Sequence, residues 1–129
     1  MREKFLYEYA VIRIVPQVER EEFANAGVVL YCAKQKFLQM LFHLDENRLL
    51  AFSPSINIPE IHEYLCAFQR ICSGDESGSD IARLPIAERF RWLTAARSTI
   101  VQTSRVHPGF CEDAGEMLAR LYNQLVLLP

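Results

Sequence analysis

Residues 5–15 constrain the fold more than any other part of the chain, because they carry apolar side chains on both faces of a predicted strand. The run is rich in aromatic and β-branched residues, which favour strands. With a two-residue period, Tyr7 and Val11 lie on one face and Ile12 lies on the other. A strand that is apolar on both faces is typical of the centre of a sheet. Pro16 ends it, because proline has no N–H for the ladder.

Two further strands are predicted over residues 27–33 and 37–44. A short polar stretch, residues 34–36, separates them, so we expect a hairpin. Residues 17–25 are polar and charged, and they connect the first strand to the second. The chain therefore opens with three strands that are consecutive in sequence.

Helical patterns dominate the rest of the chain. Asn57 and Pro59 precede an apolar stripe at helical spacing, and Pro85 opens a second such stripe. A last helix is predicted from residue 111 or 112 to residue 128. Residues 45–55 are compatible with either a helical turn or a short strand.

One more strand is predicted at residues 98–103, and Pro108-Gly109 has the composition of a turn. The predicted order is β-β-β-α-α-β-α. Consecutive strands followed mainly by helices indicate the α+β class. We expect an antiparallel sheet of about four strands with about three helices packed on it.

Length and composition place the chain among single-domain globular proteins. We expect one domain over residues 1–129, with a flexible loop at 73–83 where glycine, serine and acidic residues cluster. The formal net charge of −2 gives no global field that would indicate nucleic acid or a membrane surface. The charged start does not have the pattern of a signal peptide, so the cytoplasm is the expected compartment.

The spacing of cysteines and histidines does not indicate a metal site or a redox motif. The four cysteines form no C-x-x-C pair, and we expect them to be buried thiols. His43 and His62 have no partner at ligand spacing. Glycine-rich nucleotide loops are also missing from the sequence. We therefore expect neither a metal nor a cofactor.

The most distinctive polar segment covers residues 13–28. If the first two strands pair antiparallel, Arg13 at the end of one lies beside the residues that lead into the other. The geometry then suits a charge-assisted bond from Arg13 to Glu22. Asn25 can bond local backbone in a turn. Gly27 permits either a positive φ or a close approach of backbone.

These residues have three interpretations. The favoured one is that Arg13, Glu22, Asn25 and Gly27 anchor the loop between the strands, because such residue types recur as turn chemistry. The second is a polar pocket that binds a ligand or a partner. The third is a catalytic site.

Motifs in both halves of the chain resemble the bacterial domain of unknown function 3037 family. The residues that carry the resemblance are Tyr7, Tyr9, Arg13, Pro16, Glu22, Phe23, Asn25, Gly27 and Val28 in the first half, and Phe90-Arg91-Trp92-Leu93, Arg97-Ser98-Thr99, Val106, His107 and Gly109 in the second. The resemblance implies no activity, because that family has no established one. It does imply a partner, since members are often encoded beside a HipA-like kinase.

Arginines cluster in the second half of the chain. The candidates for a basic patch are Arg83, Arg89, Arg91 and Arg105. Such a patch would bind phosphate, nucleic acid or an acidic protein, although solvated or locally paired arginines are the favoured interpretation. Arg97 and Ser98 open the fourth predicted strand and are candidates for binding an anion. His107 is predicted in a loop, where it could act as a general base.

Two functions follow as hypotheses. The first is a non-catalytic accessory module that binds a protein, with a HipA-like kinase as the candidate partner and a homodimer as a further candidate assembly. The second is an enzyme or nucleic-acid-binding factor that uses a polar cluster of Arg13, Glu22, Asn25, Arg97 and His107. Convergence of those five side chains in one pocket would favour the second.

Overall fold

The computed structural model describes residues 2–75 and 79–127. The elements, in chain order, are β1 (Phe5–Ile14), β2 (Ala24–Cys32), β3 (Phe37–Phe42), α1 (Glu46–Phe52), α2 (Ile58–Ser73), α3 (Ile86–Leu93), β4 (Val101–Thr103), β5 (His107–Cys111) and α4 (Ala114–Leu125), with 3-10 turns at Val18–Arg20 and Ile81–Arg83. The α+β class is confirmed. Residues 76–78 of the predicted loop 73–83 and residue 128 of the predicted last helix lie outside the described residues.

The strands form one five-stranded antiparallel sheet in the order β3-β2-β1-β4, and β5 also pairs with β1. As predicted, β1 is central and β2 and β3 form a hairpin. β4 lies beside the last part of β1, at Ile12–Ile14. β5 lies beside its first part, with Phe5 opposite Cys111 and Tyr9 opposite His107. The two short strands thus share one edge of the sheet.

Helices cover both faces of the sheet. Ala10 and Ile12 of β1 are fully buried in a core that also contains residues of α2 and α3. On the other side, Val28 and Leu30 of β2 pack in a core with α4. We call the two sides the α2 face and the α4 face. The two-residue period of the strands sends alternate side chains to these two cores.

The helices begin where local side chains satisfy free backbone N–H groups. Asp45, Asn57 and Asp113 each accept a hydrogen bond from the backbone N–H three residues ahead, which is how N-caps stabilise a first turn. Residues 46–52, whose conformation the sequence left open between a helical turn and a short strand, form α1. At the other end of α2, Gly74 adopts the left-handed conformation with φ 77°, which glycine tolerates best.

Two predictions for the second half need correction. The fourth strand covers only Val101–Thr103, and the predicted turn at Pro108-Gly109 is wrong, because both residues lie within β5. Strand β5 is at the sheet edge, where proline is tolerated. Gly109 lies under the ring of Tyr7: a Cβ there would be 2.5 Å from that ring. His107 therefore begins a strand and does not lie in a loop.

In the described ranges, no helix has the length and apolar character that crossing a membrane requires.

Candidate functional site

The polar segment at residues 13–28 joins the end of β1 to the beginning of β2, and the two lie side by side in the sheet. Arg13 is directly opposite Asn25, as antiparallel pairing predicted, next to an irregularity in register between Ile12 and Arg13. The guanidinium of Arg13 lies 4.1 Å from the centre of the Phe23 ring, a cation–π contact. Phe23 is itself 41% exposed, so this contact is at the surface.

The expected bond between Arg13 and Glu22 does not form in the described chain. Glu22 pairs with Arg20. The physical reason is local: Arg20 ends a 3-10 turn, and Glu21 follows it with φ 56°, so the turn keeps Arg20 and Glu22 together. Both side chains of this pair are largely exposed, and exposed ion pairs contribute little to stability.

Asn25 has a long-range structural role. Its Nδ2 donates to the backbone carbonyl of Leu125, at 2.9 Å. Leu125 is the last residue of α4, and carbonyls in the last turn of a helix lack an intrahelical donor. Asn25 therefore ties the end of α4 to the sheet, where the sequence predicted only a bond to local backbone.

Two buried polar atoms at this position have no hydrogen-bond partner within the described residues: Nε of Arg13 and Oδ1 of Asn25. One is a donor and the other an acceptor, and the residues that carry them are opposite each other. Buried polar atoms are normally paired, so this pair is a candidate for binding a small polar group.

Gly27 matches one of the two expectations for it. A Cβ at this position would lie 2.6 Å from the carbonyl oxygen of Leu41 and 3.0 Å from Cβ of Phe42. The close approach of β3 therefore requires glycine here, and its φ is not positive.

Arg97 lies on the α2 face, away from Arg13 and Asn25. Its guanidinium donates to the carbonyls of Trp92, Leu93 and Ala95 at the end of α3. It also lies 4.4 Å from the centre of the Trp92 ring and 5.1 Å from that of Phe68. Burial lowers the pKa of Arg97 from its ordinary value, yet arginine remains protonated in proteins. Its charge therefore lies close to two aromatic rings.

Arg97 is also part of the wall of an apolar groove with a volume of about 500 Å³. The groove lies between α2 and the segment that leads into β4. Its walls are formed by Tyr64, Ala67, Phe68, Ile71, Trp92, Arg97, Thr99, Ile100 and Val101. From the sequence, Tyr64 belongs to the apolar stripe that follows Asn57 and Pro59, and Trp92 is expected to be a core residue. The structure leaves Tyr64 47% exposed, and no signal in the sequence alone separates a groove wall from a core face.

The outer side of β4 is only partly open: the Val101 carbonyl accepts a hydrogen bond from Oγ1 of Thr99, at 2.8 Å, and Val101 is 3% exposed. Ile100 accepts from Val15 N–H and Ser104 donates to the carbonyl of Val11, so the even-numbered residues here face β1. In an antiparallel ladder the intervening residues face the other way. The N–H groups of Val101 and Thr103 thus point outward, and neither has a hydrogen-bond partner in the part of the chain that the structure describes.

His107 is on the α4 face, opposite Tyr9 in the pairing of β1 with β5. Their ring centres are 5.3 Å apart. Of the five side chains in the catalytic hypothesis, Arg13, Asn25 and His107 belong to the α4 face, Glu22 to the exposed loop, and Arg97 to the α2 face. Among the described residues the five do not meet in one pocket.

The arginines of the predicted basic patch have separate environments. Arg89 donates to the carbonyl of Leu84 at 2.7 Å and its guanidinium packs against Gly74. Arg83 lies 4.0 Å from Asp80. Arg91 and Arg105 are exposed, the first on α3 and the second between β4 and β5, and Ser98 is exposed before β4. Arg89 and Arg97 thus hold backbone carbonyls in place.

Residues 9–126 match the model of a family described as a protein of unknown function, DUF3037. Neither the curated proteins nor the solved structures contain a match to the chain.

Proposed function

Because this chain belongs to the DUF3037 family, whose description assigns no activity, we propose a function from geometry: a non-catalytic accessory module that binds a partner protein. The observation that supports the proposal is the apolar groove beside the open edge of β4. Binding sites are typically concave, apolar and provided with a few placed polar groups. Here the polar groups are the backbone N–H of Thr103 and the guanidinium of Arg97.

The groove and the edge together fit an extended segment of a partner. Such a segment adds to a sheet edge through main-chain hydrogen bonds and places alternate side chains in neighbouring pockets. At β4, the N–H of Thr103 would donate to the added strand. Its apolar side chains would contact Tyr64 and Trp92, and the charge of Arg97 favours an acidic residue beside them.

The candidate partner is a HipA-like kinase, as the family resemblance implies. A bacterial cytoplasmic location forms part of the same proposal. The cysteines Cys32, Cys66, Cys72 and Cys111 are free thiols, which suits a reducing compartment.

The experiment is a binding titration of the full chain with the purified kinase. Trp92 is the only tryptophan of this chain and lines the groove, so the change in fluorescence, after the signal of the kinase alone is subtracted, reports occupancy. We expect Thr103→Pro to weaken binding at least about tenfold by removing an outward N–H. Thr103→Val keeps that N–H and is the matched control. Tyr64→Ala should weaken binding similarly.

Leu41→Ala controls for loss of any exposed apolar residue, because Leu41 lies on β3, at the other edge of the sheet. Circular dichroism verifies that each variant is folded. Binding that is insensitive to both Thr103→Pro and Tyr64→Ala would contradict the proposed site. Absence of any complex with the kinase would contradict the proposed partner.

A further inference from the structure

We propose that β5 is the interface of a symmetric dimer, in which a second copy of this chain pairs its own β5 antiparallel to the first. This surface lies along the same sheet edge as β4 but uses different residues, and the proposal does not depend on the proposed function. It arises from three features of β5: an exposed apolar pair, an unpaired edge, and opposite charges at its two ends.

The apolar pair is Leu6 and Phe110. They are directly opposite each other in the pairing of β1 with β5. Leu6 is 50% exposed and Phe110 is 66% exposed, which makes Phe110 the most exposed of the large apolar side chains in the described chain. Phe110 is on the edge strand, so a strand added beside β5 would pack against its ring.

The edge presents a specific set of backbone groups. Val11 and Val15 of β1 bond toward β4, so the odd-numbered residues of β1 also face β5. Pro108 and Phe110 therefore face outward. Proline has no N–H, so this stretch has one outward donor, on Phe110, and two outward carbonyls. In antiparallel pairing centred on Gly109, each Phe110 N–H donates to the Pro108 carbonyl of the other copy. The two-fold axis relates these contacts, so the dimer has two equivalent hydrogen bonds although each chain supplies only one donor.

Charge favours a second copy over an unrelated strand. Arg105 precedes β5, and Glu112 and Asp113 follow it. Antiparallel pairing places the beginning of one strand beside the end of the other, so Arg105 of each copy lies beside acidic residues of the other. All three side chains are exposed; Glu112 also pairs with Arg2 of its own chain, at 3.2 Å. The interface is self-complementary, as a two-fold dimer requires.

Space for the second strand is present. A cavity of about 270 Å³ opens beside the end of β5, between that strand and α4. Phe110 and Met117 line it together with charged side chains of both signs, including Lys4 and Arg120. Pro108 and Phe110, the two residues that face outward, are both exposed, so α4 does not cover this edge.

Sedimentation equilibrium of the full chain over a range of concentrations tests this interface. We expect a monomer–dimer equilibrium, with a dimer Kd raised about 100-fold by Phe110→Ala, because the substitution occurs twice per dimer and each loss is worth about tenfold. Leu41→Ala, on the opposite edge, should leave the Kd unchanged. A monomer at all concentrations would overturn the proposal, as would a dimer that Phe110→Ala does not weaken.

A charge-swap experiment separates the pairing from general stickiness. Arg105→Glu and Glu112→Lys should each weaken the homodimer, since each variant places like charges together. An equimolar mixture of the two variants should form a heterodimer, because both contacts then have opposite signs. Failure of the mixture to associate more tightly than either variant alone would refute antiparallel self-pairing at β5.

Discussion

Replacing Gly27 by alanine tests whether the glycine of the family motif is required for packing. The new Cβ would lie 2.6 Å from the carbonyl oxygen of Leu41 and 3.0 Å from Cβ of Phe42. Neither neighbour can rotate away, because one is backbone and the other is attached to it. The φ of Gly27 is one that alanine can adopt, so the substitution isolates the steric effect.

The magnitude follows from two opposing terms. Overpacking against a rigid neighbour costs about 3 kcal/mol, at the upper end of the usual range. Alanine lowers the entropy of the unfolded chain relative to glycine, which offsets about 0.5–1 kcal/mol. The net loss of unfolding free energy is therefore about 2 kcal/mol. In a domain of this size that lowers Tm by about 6–12 °C.

Urea denaturation and thermal melting measure the change. Gly115→Ala is the matched control: its Cβ would lie 3.3 Å from a carboxylate oxygen of Asp113 and 3.8 Å from the Phe37 ring, and the site is exposed in the first turn of α4. We expect that variant to be as stable as the parent or slightly more so. If Gly27→Ala is equally well tolerated, the close approach of β3 does not explain the glycine.

Three further predictions concern other parts of the molecule. Asn25→Ala should lower the free energy of unfolding by about 1 kcal/mol, because the Leu125 carbonyl loses its donor, and hydrogen exchange at the end of α4 should accelerate. Asn123→Ala, on the exposed side of α4, should change neither quantity. Arg97→Lys should lower the free energy of unfolding by about 1–2 kcal/mol, because a lysine ammonium cannot reproduce the planar fork that binds several carbonyls. Trp92 fluorescence should also shift. Arg91→Lys is the exposed control, and equal effects of the two substitutions would contradict the role of Arg97. Burial raises the pKa of the Cys72 thiol from its ordinary 9.0 to about 12. Below pH 9 the thiol is neutral in the folded and the unfolded chain, and above pH 9 only the unfolded chain ionises, so the free energy of unfolding should fall as pH rises from about 9 towards 12. The urea midpoint should therefore decline less between pH 8 and pH 10 in Cys72→Ala than in the parent. An equal decline in the two proteins would contradict the prediction.

At the polar segment, the predicted position of Arg13 beside Asn25 was confirmed and the predicted bond to Glu22 was wrong, and each outcome has a physical reason. Antiparallel pairing of neighbouring strands is a local consequence of their order, so the position of Arg13 opposite Asn25 followed from the sequence. Which side chain pairs with Glu22 depends on the turn at Val18–Arg20, whose dihedral angles the residue types do not specify. The prediction of a bond to Arg13 failed for that reason.

Sequence alone determined the features that depend on near neighbours. The apolar pattern of residues 5–15 identified the central strand, because a two-residue period with both faces apolar requires cover on both sides. The hairpin of β2 and β3 and the helix starts at Asn57 and Pro85 followed from turn and capping chemistry. Each of these rests on interactions within a few residues along the chain.

Tertiary structure decided every feature that joins distant segments. The bond from Asn25 to Leu125 spans 100 residues, and no local pattern predicts such a partner. Pro108 and Gly109 have turn chemistry, yet pairing with β1 and the ring of Tyr7 hold them in a strand. The groove beside β4 and the exposed Phe110 arise from how elements pack against one another. Apolar side chains look alike in sequence, and only packing determines which of them remain uncovered.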